Sequence, residues 1–189
     1  MTMLIVGILL FFLPHSVSII NHRWRDQKAQ QLGEWGWKGL IGLISLVGFV
    51  LMIKGYGDAC VTASVLYSPP AVLRHLVLLL MVPVFPLLVS TYLPGRIKST
   101  VKHPTLVATK LWALSHLLVN GASADVLLFG SFLLWAVADR ISMKKREVRP
   151  IPAAPVGPLN DVIAIAVGLG VYAGFVVKFH SLLIGVPLF

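Results

Sequence analysis

The sequence predicts an all-α membrane protein: a polytopic bundle of about six transmembrane helices in a single domain, with both termini on the periplasmic side. Hydrophobic residues occupy 57% of the 189 positions, charged residues occupy only 12%, and the mean hydropathy is +0.87. A soluble domain carries about 25% charged residues. Because a chain this apolar would expose large hydrophobic patches to water, we expect the lipid bilayer to be its solvent.

Six apolar segments recur along the chain, each close to the length of about 20 residues that a spanning helix needs. They cover residues 3–20, 35–53, 71–93, 104–119, 124–141 and 161–180. The first segment lacks the basic start and the small-residue cleavage site of a signal peptide, so it is predicted to be a retained helix. Pro83 and Pro86 predict a break in the third segment, with neighbouring groups satisfying the freed carbonyls. Residues 142–160, which include four prolines, are predicted to form an extended linker.

The basic residues predict the orientation, because Lys and Arg in short loops face the cytoplasm. The loops after the first, third and fifth segments hold twelve of them, namely Arg23, Arg25, Lys28, Lys38, Arg96, Lys98, Lys102, Arg140, Lys144, Lys145, Arg146 and Arg149. The alternate connections hold three, namely Lys54, Arg74 and Lys178. This pattern predicts a multi-pass membrane protein whose basic loops face the cytoplasm. It also explains the net charge of +9 by contact with anionic lipid, so no nucleic-acid partner is expected.

His15 and His116 are the candidate ligands of a cofactor. Ionisable side chains inside a membrane span are costly, so each is a functional hypothesis by default. One face of the fourth segment carries polar and aromatic residues at helical spacing: Thr109, Trp112, Ala113, His116 and Asn120. Two neutral imidazoles from different helices are suitable ligands for haem iron. The alternative is that each ring bonds only to a backbone carbonyl or to a serine.

Two ligands of one cofactor should lie at a similar depth in the membrane, and the sequence predicts different depths for His15 and His116. At about 1.5 Å per residue, His116 lies roughly 18 Å from the cytoplasmic end of its segment, and His15 lies roughly 8 to 10 Å from that side. A kink at Pro14 or a tilt of the fourth segment would have to reduce this difference.

Other chemistry has less support in the sequence. A metal site formed by His75, His116 and His180 near the outer face is a second alternative. The single cysteine, Cys60, excludes an internal disulfide and a Cys-based metal cage. The chain has no Ser-His-Asp set, no phosphate-binding loop and no paired intramembrane carboxylates. Hydrolase and ATPase functions are therefore not indicated, and no catalytic residue is assigned.

Several stretches of sequence carry a family resemblance. They are residues 11–16 (FFLPHS), 74–76 (RHL), 92–95 (YLPG), 103–104 (HP), 111–121 (LWALSHLLVNG), 139–140 (DR) and 183–188 (LIGVPL). In these stretches the chain resembles the NnrU family of bacterial membrane proteins, which includes the 15-cis-zeta-carotene isomerases. The similarity to the bacterial NnrU pattern covers essentially the whole chain. Similarity to the plant-type isomerases is confined to the first segment and to residues 103–116.

The resemblance implies two activities. NnrU proteins are associated with nitric oxide and nitrite metabolism in denitrifying bacteria. The isomerase branch binds haem b and turns a cis double bond of a carotene to trans, and its two axial histidines match His15 and His116. A cysteine that precedes the second histidine by three residues in the isomerases is Ala113 here, so ligand exchange through that cysteine is not expected.

The leading hypothesis is a membrane protein that binds haem b between its helices and has a role in denitrification. The cofactor-binding residues would be His15 and His116, as iron ligands, with Trp112 and Asn120 beside them. One alternative is a haem-dependent cis-trans isomerase acting on a hydrophobic polyene such as zeta-carotene. Another is a non-catalytic accessory protein that aids assembly of, or electron delivery to, a denitrification enzyme.

Overall fold

The structure is a computed structural model that describes residues 1–147 and 149–185. Its helices are α1 (Thr2–Ile20), α2 (His22–Leu32), α3 (Glu34–Thr62), α4 (Leu73–Met81), α5 (Val84–Ser90), α6 (Arg96–Val101), α7 (Pro104–Val119), α8 (Ser123–Ser142), α9 (Asn160–Gly174) and α10 (His180–Ile184), with a π-helical turn at Phe175–Phe179 between the last two. Residues 186–188, which close the family resemblance, lie outside the described part of the chain.

The all-α prediction is confirmed over the described residues. They contain no β-strand, and their only extended pairing is an isolated bridge between Val65 and Ala122. Four helical stretches are long and apolar enough to cross a membrane: Thr2–Ile20, Glu34–Thr62, Leu73–Ser90 and Asn160–Ile184. A shorter apolar helix, α7, and the helix α8, which carries three charged residues, occupy the other two predicted segments.

The helices extend beyond the predicted apolar segments. Helix α3 continues to Thr62, whereas the apolar segment was predicted to end at residue 53, and its 29 residues span about 43 Å. Helices α2 and α6 lie where loops were predicted. Each is capped by a side chain. The side chain of Asn21 accepts a hydrogen bond from the amide of Trp24, and the carboxylate of Asp161 accepts hydrogen bonds from the amides at the start of α6. Such caps stabilise polar helices that hydropathy does not detect.

The sequence predicts one transmembrane domain, and in the structure the helices group into two compact units. Unit 1 comprises Met1–Pro69 and Asn120–Val148, and unit 2 comprises Pro70–Val119 and Arg149–Phe189. Unit 1 therefore holds α1, α2, α3 and α8, and unit 2 holds the remaining helices.

In unit 1, glycines bring α1 and α3 into backbone contact. A Cβ atom added at Gly48 would lie 2.6 Å from the amide nitrogen of Phe11, and one added at Gly7 would lie 2.5 Å from that of Met52. These distances exclude any side chain, as is typical of helix pairs that associate through small residues in lipid. Helix α8 completes the core, where Ala124 is fully buried.

In unit 2, α9 braces the broken pair α4–α5. Since Pro83 has no amide hydrogen, the ladder of helical hydrogen bonds is interrupted there. The amide of Val82 donates to the carbonyl of Leu79, three residues earlier, and so leaves the carbonyl of Leu78 without its helical partner. The hydroxyl of Tyr172 donates a hydrogen bond to this carbonyl of Leu78 at 2.7 Å. The predicted break, with a neighbouring group satisfying a freed carbonyl, is therefore confirmed.

Candidate functional site

His116 lies on α7 with its ring tied to the preceding turn of the same helix. Its Nδ1 atom is 2.8 Å from the carbonyl oxygen of Trp112. Because a carbonyl can only accept, Nδ1 must carry the hydrogen in this bond, and in the neutral ring Nε2 then carries the lone pair. This tautomer is the one that ligates a metal through Nε2, and the carbonyl bond orients the ring.

The surroundings of His116 agree with the predicted helical face at Trp112 and Ala113, but α7 ends at Val119, so Asn120 does not lie on this face. The rings of Trp112 and His116 pack at 5.1 Å between centroids, inclined by 52°. Trp112 in turn packs against the buried cluster of unit 2 that includes Leu87 and Ala108. Ala113 on the same face is fully buried, while Trp112 and His116 are half-buried. The hydrogen bond to a backbone carbonyl that the sequence suggested as an alternative is present. It involves Nδ1 of His116, whereas the atom that would ligate a metal is Nε2.

His15 lies on α1 and is exposed, with aromatic rings on either side. Its ring centroid is 4.7 Å from that of Phe11 and 6.0 Å from that of Trp135 on α8, which meets it edge-on. Phe12 and Phe132 extend this group of rings, with centroids 4.8 Å apart. The imidazole is thus accessible within an aromatic setting formed by α1 and α8.

Two polar atoms close to the candidate histidines are buried and lack a hydrogen-bond partner among the described residues. One is Nε1 of Trp135, whose ring contacts His15, and the other is Oγ of Ser115, which precedes His116 and is fully buried. A buried polar atom without a partner is uncommon in native proteins and calls for an explanation, such as strain, a functional role or an ordered water or ion.

Asn120 belongs to unit 1, on the turn before α8. Its backbone carbonyl accepts the hydroxyl of Tyr67 at 2.8 Å, and the next residues pair with the segment near Val65. The structure therefore brings Trp112 and His116 together in unit 2, and it places His15 and Asn120 in unit 1.

The alternative metal site is not supported. The described part of the chain contains no group of three or more His, Cys, Asp or Glu side chains that could hold a metal ion. His75 and His180, with His116, therefore do not form the cluster proposed from the sequence.

Sequence reasoning missed two features of unit 1, namely the contact of Trp135 with His15 and the pairing of Arg146. Trp135 was counted only as an apolar residue of the fifth segment, since helical spacing does not reveal which neighbouring helix a ring meets. Arg146 was counted only as a topology signal, yet it pairs with Asp139 at 2.6 Å, and the two side chains are 9% and 8% exposed. No local signal distinguishes this residue from the other basic residues of the same loop.

The residues fit haem b when each is considered by itself. Haem iron takes neutral imidazole nitrogens as axial ligands. His116 presents Nε2 with a lone pair because of its carbonyl bond, and His15 presents an exposed imidazole among aromatic rings that suit a flat conjugated molecule.

Comparison with known proteins gives one family. No curated protein and no solved structure matches the chain significantly. A family model described as NnrU protein matches residues 3–188, nearly the whole chain. This match agrees with the resemblance seen in the sequence motifs, and the chain belongs to the NnrU protein family.

Proposed function

We propose that this NnrU family member is a haem b-binding protein of the bacterial inner membrane, with His116 of unit 2 and His15 of unit 1 each as a candidate ligand of haem iron. The observation that carries the proposal is the 2.8 Å contact between Nδ1 of His116 and the carbonyl of Trp112. It selects the tautomer whose Nε2 ligates iron. Trp112, which packs against the ring of His116, would lie beside a cofactor bound there.

The side chains around the ligands have separate roles. The carbonyl of Trp112 holds the His116 ring in one orientation and increases the basicity of Nε2. The indole of Trp112 restrains the same ring by packing against it. On α1, Phe11 restrains His15 in a similar way. Bound haem would supply a redox-active iron in a site from which lipid excludes water.

The role that we propose lies in nitric oxide and nitrite metabolism, as in the family at large. Ala113 is fully buried on α7 and offers no thiolate beside His116. We therefore propose haem binding and this metabolic role, without an isomerase step that depends on a cysteine ligand.

We further propose that six helical segments cross the membrane and that both termini are periplasmic. The support is a helix in each of the six predicted segments, together with twelve basic residues in alternate loops against three in the others. Alkaline phosphatase fused to the carboxyl terminus should be active, whereas a fluorescent protein that folds only in the cytoplasm should be dark there. The reverse result would refute this orientation.

The haem proposal is tested by spectroscopy on the full chain, produced with ample haem and purified in mild detergent. A pyridine haemochrome spectrum should show stoichiometric haem b. Replacement of either ligand, His116→Ala or His15→Ala, should remove or shift the Soret band, whereas His75→Ala, at an exposed position on α4, should leave it unchanged. A wild-type protein that contains no haem would disprove the proposal.

A further inference from the structure

Charge is distributed unequally between the two units. Unit 2 contains seven Lys and Arg residues and a single acidic residue, Asp161, whereas unit 1 contains nine basic and six acidic residues. Three carboxylates of unit 1 pair with basic side chains, as in Arg146–Asp139 at 2.6 Å and Lys38–Glu34 at 3.3 Å. The positive charge of unit 2 cannot be balanced in this way from within the unit.

The one acidic side chain of unit 2, Asp161, is already engaged by backbone amides. Its two oxygens accept from the amides of Arg96 at 2.7 Å and Ile97 at 3.1 Å, which caps the first turn of α6. The start of α6 therefore needs no further anion, and the basic side chains of this helix are left without an internal carboxylate.

Helix α6 presents exposed cations and hydroxyls. Arg96 and Lys102 are exposed at its two ends, about 9 Å apart along the axis, with Ser99 and Thr100 exposed between them. Lys98 is held inward, because its ammonium group donates to the carbonyl of Thr91 at 2.7 Å.

The backbone at Lys102 is strained. Its φ of 64° lies in the left-handed region, which a lysine seldom adopts, and it is the one non-glycine residue with positive φ in the described chain. Strained backbone is retained mainly where it has a use, such as holding a side chain for a ligand.

We propose that α6 and Lys102 form a binding site for the phosphate of an anionic phospholipid. A guanidinium, an ammonium and the hydroxyl of Thr100 can donate to the oxygens of a phosphodiester, whereas the hydroxyl of Ser99 already donates to the carbonyl of Arg96 at 2.9 Å. The helix joins the apolar helices α5 and α7, so it lies at their membrane-surface end, where headgroups are found. This site goes beyond the proposed function and does not depend on haem.

Diffuse attraction of basic loops to anionic lipid is the competing explanation. It predicts that every exposed cation on the same predicted side of the membrane contributes alike. Lys144 and Lys145 follow α8 in unit 1, are exposed, and provide a matched pair for this comparison.

The experiment uses the full chain in nanodiscs of phosphatidylcholine with added phosphatidylglycerol, and retained lipid is counted by native mass spectrometry. Wild-type protein should retain phosphatidylglycerol in preference to phosphatidylcholine. The double variant Arg96→Gln/Lys102→Gln should bind it about thirtyfold more weakly, from two lost headgroup contacts. Lys144→Gln/Lys145→Gln should bind it as the wild type does.

A second variant separates binding from folding. Lys102→Gly removes the cation and relieves the left-handed backbone, so it should remain folded and still lose phosphatidylglycerol. Equal weakening in both double variants, or no preference for phosphatidylglycerol in the wild type, would overturn the proposal. Displacement of the lipid by inorganic phosphate would overturn it as well, since the ligand would then be a soluble phosphate.

Discussion

Replacement of Gly48 by alanine should separate α1 from α3. The added Cβ would lie 2.6 Å from the amide nitrogen of Phe11 and 3.0 Å from the carbonyl oxygen of Gly7, both backbone atoms that cannot rotate away. Ordinary contact begins near 3.5 Å, so α1 would have to shift by about 1 Å. Overpacking of this kind costs about 1 to 3 kcal/mol.

The matched control is Gly42→Ala on the same helix, because a Cβ there would meet nothing within 4 Å. Alanine favours a helix over glycine by about 1 kcal/mol, so this control should be neutral or slightly stabilising. Because the helix-propensity gain is common to both variants, we expect Gly48→Ala to be about 1 to 3 kcal/mol less stable than Gly42→Ala. The measurement is reversible unfolding in mixed micelles by titration with sodium dodecyl sulfate, followed by tryptophan fluorescence. Equal stability of the two variants would refute the close contact between α1 and α3.

Two further substitutions test individual polar contacts by the same unfolding measurement. Tyr172→Phe removes the donor to the carbonyl of Leu78 at the helix break and should cost about 1 to 2 kcal/mol, and an unchanged stability would contradict the brace. Asp139→Asn leaves the buried guanidinium of Arg146 without its counter-charge and should cost about 3 kcal/mol. Asp26→Asn breaks a pair whose carboxylate is 43% exposed and should cost less than about 1 kcal/mol, and equal losses at the two aspartates would argue against burial of the first pair.

The candidate site was predictable where its contacts are local. Nδ1 of His116 bonds to the carbonyl four residues earlier, a distance that any α-helix provides, and the sequence therefore suggested this bond as one alternative. The ring of Trp135 against His15 was not predictable, because it depends on which faces of α1 and α8 meet. The spacing of residues along the sequence shows which of them share a face of a helix, but it does not show which other helix packs against that face.

The same distinction applies to the fold. Pro83 predicted a break in the third segment from covalent chemistry alone, since proline lacks the amide hydrogen that the ladder needs. The identity of the group that compensates, the hydroxyl of Tyr172, came from a residue far along the chain. Helices α2 and α6 were missed because their residues are polar, and the caps that stabilise them are single side chains.

By itself, the sequence determined the membrane environment, the all-helical class and the membership of a family, because hydropathy, proline chemistry and motifs are properties of neighbouring residues. Only the tertiary structure decided that α1 and α3 touch at glycines, that Asp139 pairs with Arg146, and that Asp161 caps α6. These contacts join residues that are distant along the chain. Their energies depend on distances of a few ångströms between helices, which no pattern in one segment can specify.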